Sequence, residues 1–310
     1  MYDLVIVGGG PAGVGAGVYA ARKKIKSLLV TDTFGGQSLV SPGVENWIGA
    51  KLVTGFELAK MLEDHLRRYQ QAGDLEIWDS DLVEKIEPIS RGKGFSLITK
   101  GGKKAEAKTA LVCSGSRRRR LGVPGEDRLD GKGIAWCATC DAPLFDGKVV
   151  AVIGGGNAGL EAILTLDAYV SKLYLIQRSD RLKGDAVTQD KIKSLKKLAI
   201  IYNALTEEIL GEAMVNGLRY KDSKTGKEKI LKLEGIFIEI GSIANNDFVR
   251  HLVKINDYGE LVIDPRTQKT SRDGIWAAGD VTDVFYKQNN VSVGDAVKAV
   301  LNIFDYLQRS

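Results

Sequence analysis

The chain alternates short apolar runs, glycine turns and helix-period segments. Leu4-Val5-Ile6-Val7 is an uninterrupted apolar run that ends in Gly8-Gly9-Gly10. A β-branched run bounded by turn residues predicts a buried strand. Val14 to Arg22 then reads as a helix, and Ser27 to Thr31 as a second strand ending at Asp32. The same order returns downstream. Val149 to Ile153 reads as a strand entering Gly154-Gly155-Gly156, Leu160 to Tyr169 as a helix, and Lys172 to Ile176 as the next strand. Gly154 follows Gly8 by 146 residues (154 − 8). Ala110 to Cys113 is a further apolar strand. A third glycine turn, Gly279-Asp280, follows the apolar run Ile275-Trp276-Ala277-Ala278. Strands alternating with helices predict an α/β protein with parallel sheets. The pattern therefore predicts two Rossmann-like dinucleotide-binding domains, and if the Gly279-Asp280 turn belongs with the first nucleotide site, the second domain is inserted into the first. The expected boundaries are 1–116 and 246–310 for the discontinuous domain and 117–245 for the insert.

The glycine turns carry chemistry. Gly8-x-Gly10-Pro11-Ala12-Gly13 is a G-x-G-x-x-G between a strand and a helix. Its first glycine permits the tight turn, its second lets backbone approach a pyrophosphate, and its third lets the helix lie close on the strand. Asp32 stands nineteen residues beyond Gly13 (32 − 13), where a carboxylate binds the ribose of a dinucleotide. Gly154, Gly156, Asn157 and Gly159 repeat the fingerprint, but the second acid is missing. Gln177 stands in its place and is followed by Arg178. A neutral residue beside an arginine suits a 2′-phosphate, which points to NADPH.

Composition narrows the class. Glycine is 36 of 310 residues and proline only 6, so the glycines mark ordered tight places and not a linker. The net charge of +5 is too weak to argue for nucleic acid. No run of about 18 apolar residues is present, so no membrane span is expected. The N-terminus lacks the features of a signal peptide, which makes the cytoplasm the default compartment. Two histidines rule out a metal site built on three or more of them, three cysteines cannot make a small disulfide framework, and no metal is expected. Cys137-Ala138-Thr139-Cys140-Asp141 is a C-x-x-C followed by an acid. A zinc half-site and a pair of structural thiols are the competing readings, and a redox dithiol is the favoured one. Asp141 could exchange protons with a thiol. Cys113, in an apolar strand, reads as a buried core thiol.

The chain resembles the low-molecular-weight thioredoxin reductases. It is especially similar to the reductase core of the alkyl hydroperoxide reductase flavoprotein subunit. The resemblance rests on Gly8 to Gly13, Phe34-Gly35-Gly36-Gln37, Glu45-Asn46-Trp47, Val123 to Asp127 and Cys137 to Phe145. It continues through Gly154 to Gly159, Gly235-Ile236-Phe237, Ala277 to Asp280 and Tyr286-Lys287-Gln288. It implies FAD on Gly8, Gly10, Pro11, Ala12, Gly13, Asp32, Gly115 and Gly279. Gly36, Gln37 and Asn46 are implied to line the flavin region, Asp280 to meet the ribitol, and Lys287 and Gln288 to lie near the ring. NADPH or NADH is implied on Gly154, Gly156, Asn157, Gly159, Gln177, Arg178 and Lys183. Cys140 is implied to face the flavin, Cys137 to attack a partner disulfide, and Asp141 to serve as acid and base.

The implied activity passes electrons from NAD(P)H through FAD and the Cys137–Cys140 pair to a thioredoxin-like or glutaredoxin-like protein. The resemblance further implies a homodimer, a separate redoxin partner, and rotation about crossovers near 117–122 and 242–247. Three departures stand out. The arginine set that meets the 2′-phosphate in NADPH-dependent relatives is reduced here to Arg178 and Lys183. The acid of the NADH-dependent relatives is replaced by Gln177. A proline of the second crossover is replaced in Gly241-Ser242-Ile243-Ala244. A flavin dithiol oxidase and a non-enzymatic redox sensor are the alternative readings. Arg117 to Arg120 reads as a solvated connection.

Overall fold

The computed structural model describes residues 1–41, 43–89 and 94–309. Its contacts divide the chain into two compact units, Met1–Arg117 with Ile243–Ser310, and Arg118–Ser242. In chain order, the first unit opens with β1 (Tyr2–Gly9), α1 (Pro11–Arg22), β2 (Ser27–Phe34), α2 (Gly55–Gln71) and β3 (Leu75–Trp78). An antiparallel meander follows, β4 (Val83–Pro88), β5 (Phe95–Thr99) and β6 (Lys104–Val112). A short β7 (Ser116–Arg118) leads out of it.

The inserted unit contains α3 (Glu126–Leu129), β8 (Ile134–Ala135), α4 (Ala138–Asp141), β9 (Val149–Ile153), α5 (Asn157–Leu166), β10 (Lys172–Ile176) and α6 (Ala186–Lys193). It continues with β11 (Leu198–Ile201), the antiparallel β12 (Ala204–Gly211), β13 (Val215–Asp222) and β14 (Glu228–Lys232), and then β15 (Gly235–Ile238). β16 (Ser242–Ala244) pairs with β7, so the two crossovers run as a ribbon. The first unit closes with β17 (Ile275–Ala277) and α7 (Asn289–Arg309).

Both units repeat one topology. The parallel part of the first sheet runs β3-β2-β1-β6, with β17 on the far side of β6. The second runs β11-β10-β9-β15-β8, all parallel. Each sheet is buried on both faces, which is why its strands read as continuous apolar runs. In β1, Leu4 and Ile6 join one core while Val5 and Val7 join the other. In β9, Val150 and Val152 face α5, and Ala151 and Ile153 face the β12–β14 side. A one-residue slip would exchange both sets, so the register is firmly specified. Each fully buried Leu or Ile side chain contributes about 1.5–3 kcal/mol.

Local chemistry sets the element ends. α1 starts at Pro11 and not at Val14, because proline at the first helical position has its φ preset and lacks only a donor the helix cannot use there. β2 runs through Asp32 to Phe34. α5 begins at Asn157, directly after Gly156, and its C-cap is Asp167. α2 starts on a capping box. Glu57 N–H donates to Thr54 Oγ1 at 3.1 Å, and Thr54 N–H donates to Glu57 Oε2 at 2.8 Å. Among the described residues no helix is long and apolar enough to cross a membrane.

Candidate active site

The glycines of both fingerprints are required by contact. Gly8 has φ +117°, and a Cβ there would stand 2.3 Å from the Cys113 carbonyl oxygen. A Cβ on Gly13 would stand 1.8 Å from the Gly8 oxygen. The inserted unit reproduces both distances. Gly154 has φ +123° and would meet the Glu239 carbonyl oxygen at 2.3 Å, and Gly159 would meet the Gly154 oxygen at 1.8 Å. The middle glycines behave differently. A Cβ on Gly156 would meet nothing within 4 Å, and one on Gly10 would reach only the Gly36 Cα, at 3.7 Å. Neither α1 nor α5 has a side-chain cap on its first N–H groups. Unfilled space beside uncapped N–H groups fits the pyrophosphate of a dinucleotide.

In the first unit the structure gathers residues far apart in sequence. Gln37 Nε2 donates to Asp280 Oδ2 and to Ser116 Oγ, each at 3.1 Å. Ser292 Oγ donates to Asp280 Oδ1 at 3.4 Å. Asn46 Nδ2 donates to Gln288 Oε1 at 3.2 Å, and Asn290 Nδ2 donates to the Asn46 carbonyl at 2.7 Å. Gly279 has φ +78°, and a Cβ there would stand 3.2 Å from that of Ala12. Gly115 has φ +64° with open space around its Cα, and its carbonyl accepts from Asn245 N–H. Lys287 forms an ion pair with Glu260 at 2.9 Å and also donates to the Thr282 carbonyl. Asp32 is exposed on β2. Ser292, Glu260 and Asn290 were not foreseen from sequence. Single polar residues carry no periodic signal, and these are brought in by the returning chain.

The second nucleotide turn corrects one sequence reading. Val7 pairs with Val30 in the first unit, and Ile153 pairs with Ile176 in the second, at the same 146-residue offset. Asp32 therefore corresponds to Arg178, and Gln177 corresponds to Thr31. Gln177 is buried and turned inward. Its Oε1 accepts from Gly155 N–H at 3.2 Å, and its Nε2 donates to Ser179 Oγ and the Arg181 carbonyl, each at 2.7 Å. Lys183 N–H and Gly184 N–H donate to the Gly155 carbonyl, while Asn157 Oδ1 accepts from Asp185 N–H at 2.7 Å. Gln177 and Asn157 thus pin the loop against the glycine turn. Arg178, Arg181 and Lys183 remain exposed on that loop.

The dithiol follows the edge strand of the same sheet. Cys137 follows β8 and is bonded to Cys140, with the two Cα atoms 5.3 Å apart. The Cys137 carbonyl accepts from Cys140 N–H at 3.1 Å and from Asp141 N–H at 2.9 Å, which holds the turn closed. β8, β15 and β9 are parallel, so the dithiol, Glu239 and the Gly154 turn all follow the C-terminal ends of their strands. In open α/β sheets that is the edge where ligands bind. Asp141 is buried, and burial pushes its carboxyl up to about 6 against the pull of Arg118. Cys113 is free and fully buried, and burial pushes its thiol well above the usual range, which leaves it inert.

The arginine run is not a plain solvated connection. Arg117 donates to Asn245 Oδ1 at 2.8 Å, and Arg120 donates to Asp130 at 2.6 Å with its guanidinium 4.9 Å from the Trp136 ring. Arg118 is half-buried and acts on Asp141.

Two dinucleotide turns and a bonded C-x-x-C with a buried acid define a flavoprotein disulfide oxidoreductase. Comparison with known proteins agrees. Residues 2–300 match the pyridine nucleotide-disulphide oxidoreductase family. The chain is 43% identical over 310 residues to an alkyl hydroperoxide reductase subunit of Pseudomonas putida, covering 100% of this chain and 59% of that protein. It is 40% identical over 309 residues to a protein named NADH dehydrogenase from Bacillus subtilis, covering 100% of this chain and 59% of that protein. Among solved structures, thioredoxin reductase from Streptococcus pyogenes superposes with a TM-score of 0.91 at 30% identity, covering 100% of this chain and 99% of that one.

The chain belongs to the pyridine nucleotide-disulphide oxidoreductase family, in its low-molecular-weight thioredoxin reductase branch near the reductase core of the alkyl hydroperoxide reductase flavoprotein subunit. It is an oxidoreductase, and the family implies FAD and a nicotinamide cofactor. The chain spans 59% of the length of both curated relatives.

Proposed function

We propose that this chain is a thioredoxin-type disulfide reductase. It takes electrons from NADH or NADPH through FAD and delivers them by way of Cys137 and Cys140 to a thioredoxin-like or glutaredoxin-like protein. The observation that carries the proposal is the Cys137–Cys140 bond on the C-terminal edge of a nucleotide-type sheet, next to the buried Asp141. When bound, the nicotinamide supplies hydride and the flavin supplies a two-electron reductant for the disulfide.

The chain's own residues do the rest. Gly8, Gly10, Gly13, Gly36 and Asp32 would hold the ADP half and pyrophosphate of FAD. Gln37 and Ser292 hold Asp280 in place to meet the ribitol. Gly154, Gly156 and Gly159 would hold the nicotinamide cofactor's pyrophosphate, with Arg178 and Lys183 facing its adenosine side. Cys137 attacks the partner's disulfide and Cys140 resolves the mixed disulfide. Asp141 exchanges the thiol proton.

The names of the relatives bear on both ends of this path. The likeness to an alkyl hydroperoxide reductase supports a redoxin in a hydroperoxide-reducing system as the acceptor. NADH dehydrogenase supports NADH as the donor, while the cationic loop supports NADPH. Cytoplasmic location and a homodimer complete the proposal.

Cys137→Ser tests the assignment. The variant should keep full reduction of the flavin by NADH or NADPH and lose reduction of an oxidised thioredoxin-like protein by at least about a hundredfold, because the thiolate is the nucleophile. Retention of that second activity would overturn the role of Cys137.

A further inference from the structure

The chain that leads into the dithiol is held by a side-chain clamp that the sequence did not single out. β8 is two residues long, and its pairing with β15 ends at Ala135, opposite Phe237. Trp136 is the first residue past that pairing, and Cys137 follows it in extended backbone, with φ −148° and ψ 101°. On its far side Cys137 is secured, because its carbonyl accepts from Cys140 N–H and Asp141 N–H. On its near side a side chain takes over where the ladder stops. Trp136 Nε1 donates to Asp130 Oδ1 at 2.8 Å. The other oxygen of that carboxylate, Oδ2, accepts from Arg120 at 2.6 Å. The Arg120 guanidinium lies over the indole, 4.9 Å from the ring centre. Asp130 also bridges by its backbone to Ile134 of β8. The indole itself is half-buried against the core that contains Ile134 and Ile236. A ring bonded at its N–H, covered on a face by a cation and packed on a core is left with one orientation.

We propose that Trp136 is a positioning residue for Cys137, and that the Arg120–Asp130–Trp136 clamp keeps the Cys137 backbone in place once the disulfide has opened. The inference rests on the reading of Cys137 and Cys140 as a redox dithiol. In the oxidised form the S–S bond itself restrains Cys137, so the clamp changes little there. In the open form that bond is gone, and the clamp limits the freedom the residue would regain. Freeing the backbone of one residue corresponds to roughly a tenfold change in an equilibrium constant. An open form held ready to reclose favours the disulfide, which makes the dithiol the stronger reductant. That is the direction a donor of electrons to a protein disulfide requires.

The test equilibrates the full chain with glutathione buffers at neutral pH. It uses no nicotinamide and no protein partner, so a failed electron path leaves its outcome untouched. The protein disulfide and two glutathione thiols give the protein dithiol and one glutathione disulfide, with two electrons and two protons passing to the protein. The dithiol fraction is read by alkylation of Cys137 and Cys140, and the buried Cys113 stays a free thiol throughout. Trp136→Ala and Asp130→Ala should each shift the equilibrium toward the dithiol by at least about threefold, within the roughly tenfold that one freed residue can give. Asp130→Asn keeps an oxygen acceptor for the indole N–H and should stay within about threefold of the wild-type chain. Shifts below about threefold in both alanine variants would overturn the proposal, and so would an Asp130→Asn shift as large as that of Asp130→Ala. Should the alanine variants fail to fold, hydrogen exchange in the wild-type chain decides. The Trp136 indole N–H should stay protected after dithiothreitol has opened the disulfide, and exchange at the rate of a free indole in that form would sink the idea.

Discussion

Two glycines of one fingerprint do separate jobs. Gly159 is needed for packing, because a methyl there would stand 1.8 Å from the Gly154 carbonyl oxygen. Gly156 is not, because a methyl there would meet no protein atom within 4 Å, and its φ of −90° suits any residue. Gly159→Ala should therefore destabilise the inserted unit by at least about 1–3 kcal/mol, the usual cost of overpacking. Gly156→Ala should leave stability within about 0.5 kcal/mol and still weaken nicotinamide-nucleotide binding. Urea unfolding and nucleotide titration of both variants check the pair. Equal binding by Gly156→Ala and the wild-type chain would contradict the use of that space. The same scale shows what a one-dimensional reading loses. The G-x-G-x-x-G spacing was legible because steric need fixes it. The residue in the ribose position was misplaced by one, because the end of the apolar run pointed to Gln177, whereas the strand register and the spacing from the last glycine (178 − 159 = 19, as 32 − 13 = 19) both assign it to Arg178.

At the scale of elements, strands with two buried faces were legible as apolar runs, and their alternation with helices followed from the repeated strand–turn–helix pattern. The antiparallel β12–β14 layer drew no reading of its own. Its strands are mixed in polarity, and β14 is largely exposed, so their sequences carry weak period-two signals. The site on β8 was half legible. Cys137, Cys140 and Asp141 form a local motif, whereas Arg118 and Glu239 reach it only through β7 and β15. That edge should leave a mark on stability. A carboxyl raised in the folded state contributes stability that is fully present below its unfolded value and lost as pH rises through its folded one. For Asp141 and Glu239 the loss runs from about pH 4 through 7. Asp141→Asn should thus gain stability relative to the wild-type chain as pH rises from 5 to 8, measured by urea unfolding. A difference independent of pH would contradict the burial of a strained acid there.

At the scale of the molecule, two copies of one nucleotide-binding design share a chain, and the first is completed only after the second has been inserted. The returning segment supplies Asp280, Ser292 and Asn290, so the first site depends on residues from both ends of the sequence. Length and repeat distance made two units legible. The exact changeover was less so, because short crossovers carry no apolar period, and the contacts put it at Arg117/Arg118 and Ser242/Ile243. The central claim is an electron path from nicotinamide to a protein disulfide, and the visible spectrum of the flavin reads it directly. The full chain with FAD bound is mixed anaerobically with NADH or with NADPH, and an oxidised thioredoxin-like protein is then added. Bleaching by one or both nucleotides, followed by return of the oxidised spectrum on addition of the disulfide, is the predicted result. A flavin that neither nucleotide bleaches, or one that stays bleached when the protein disulfide is added, would contradict it.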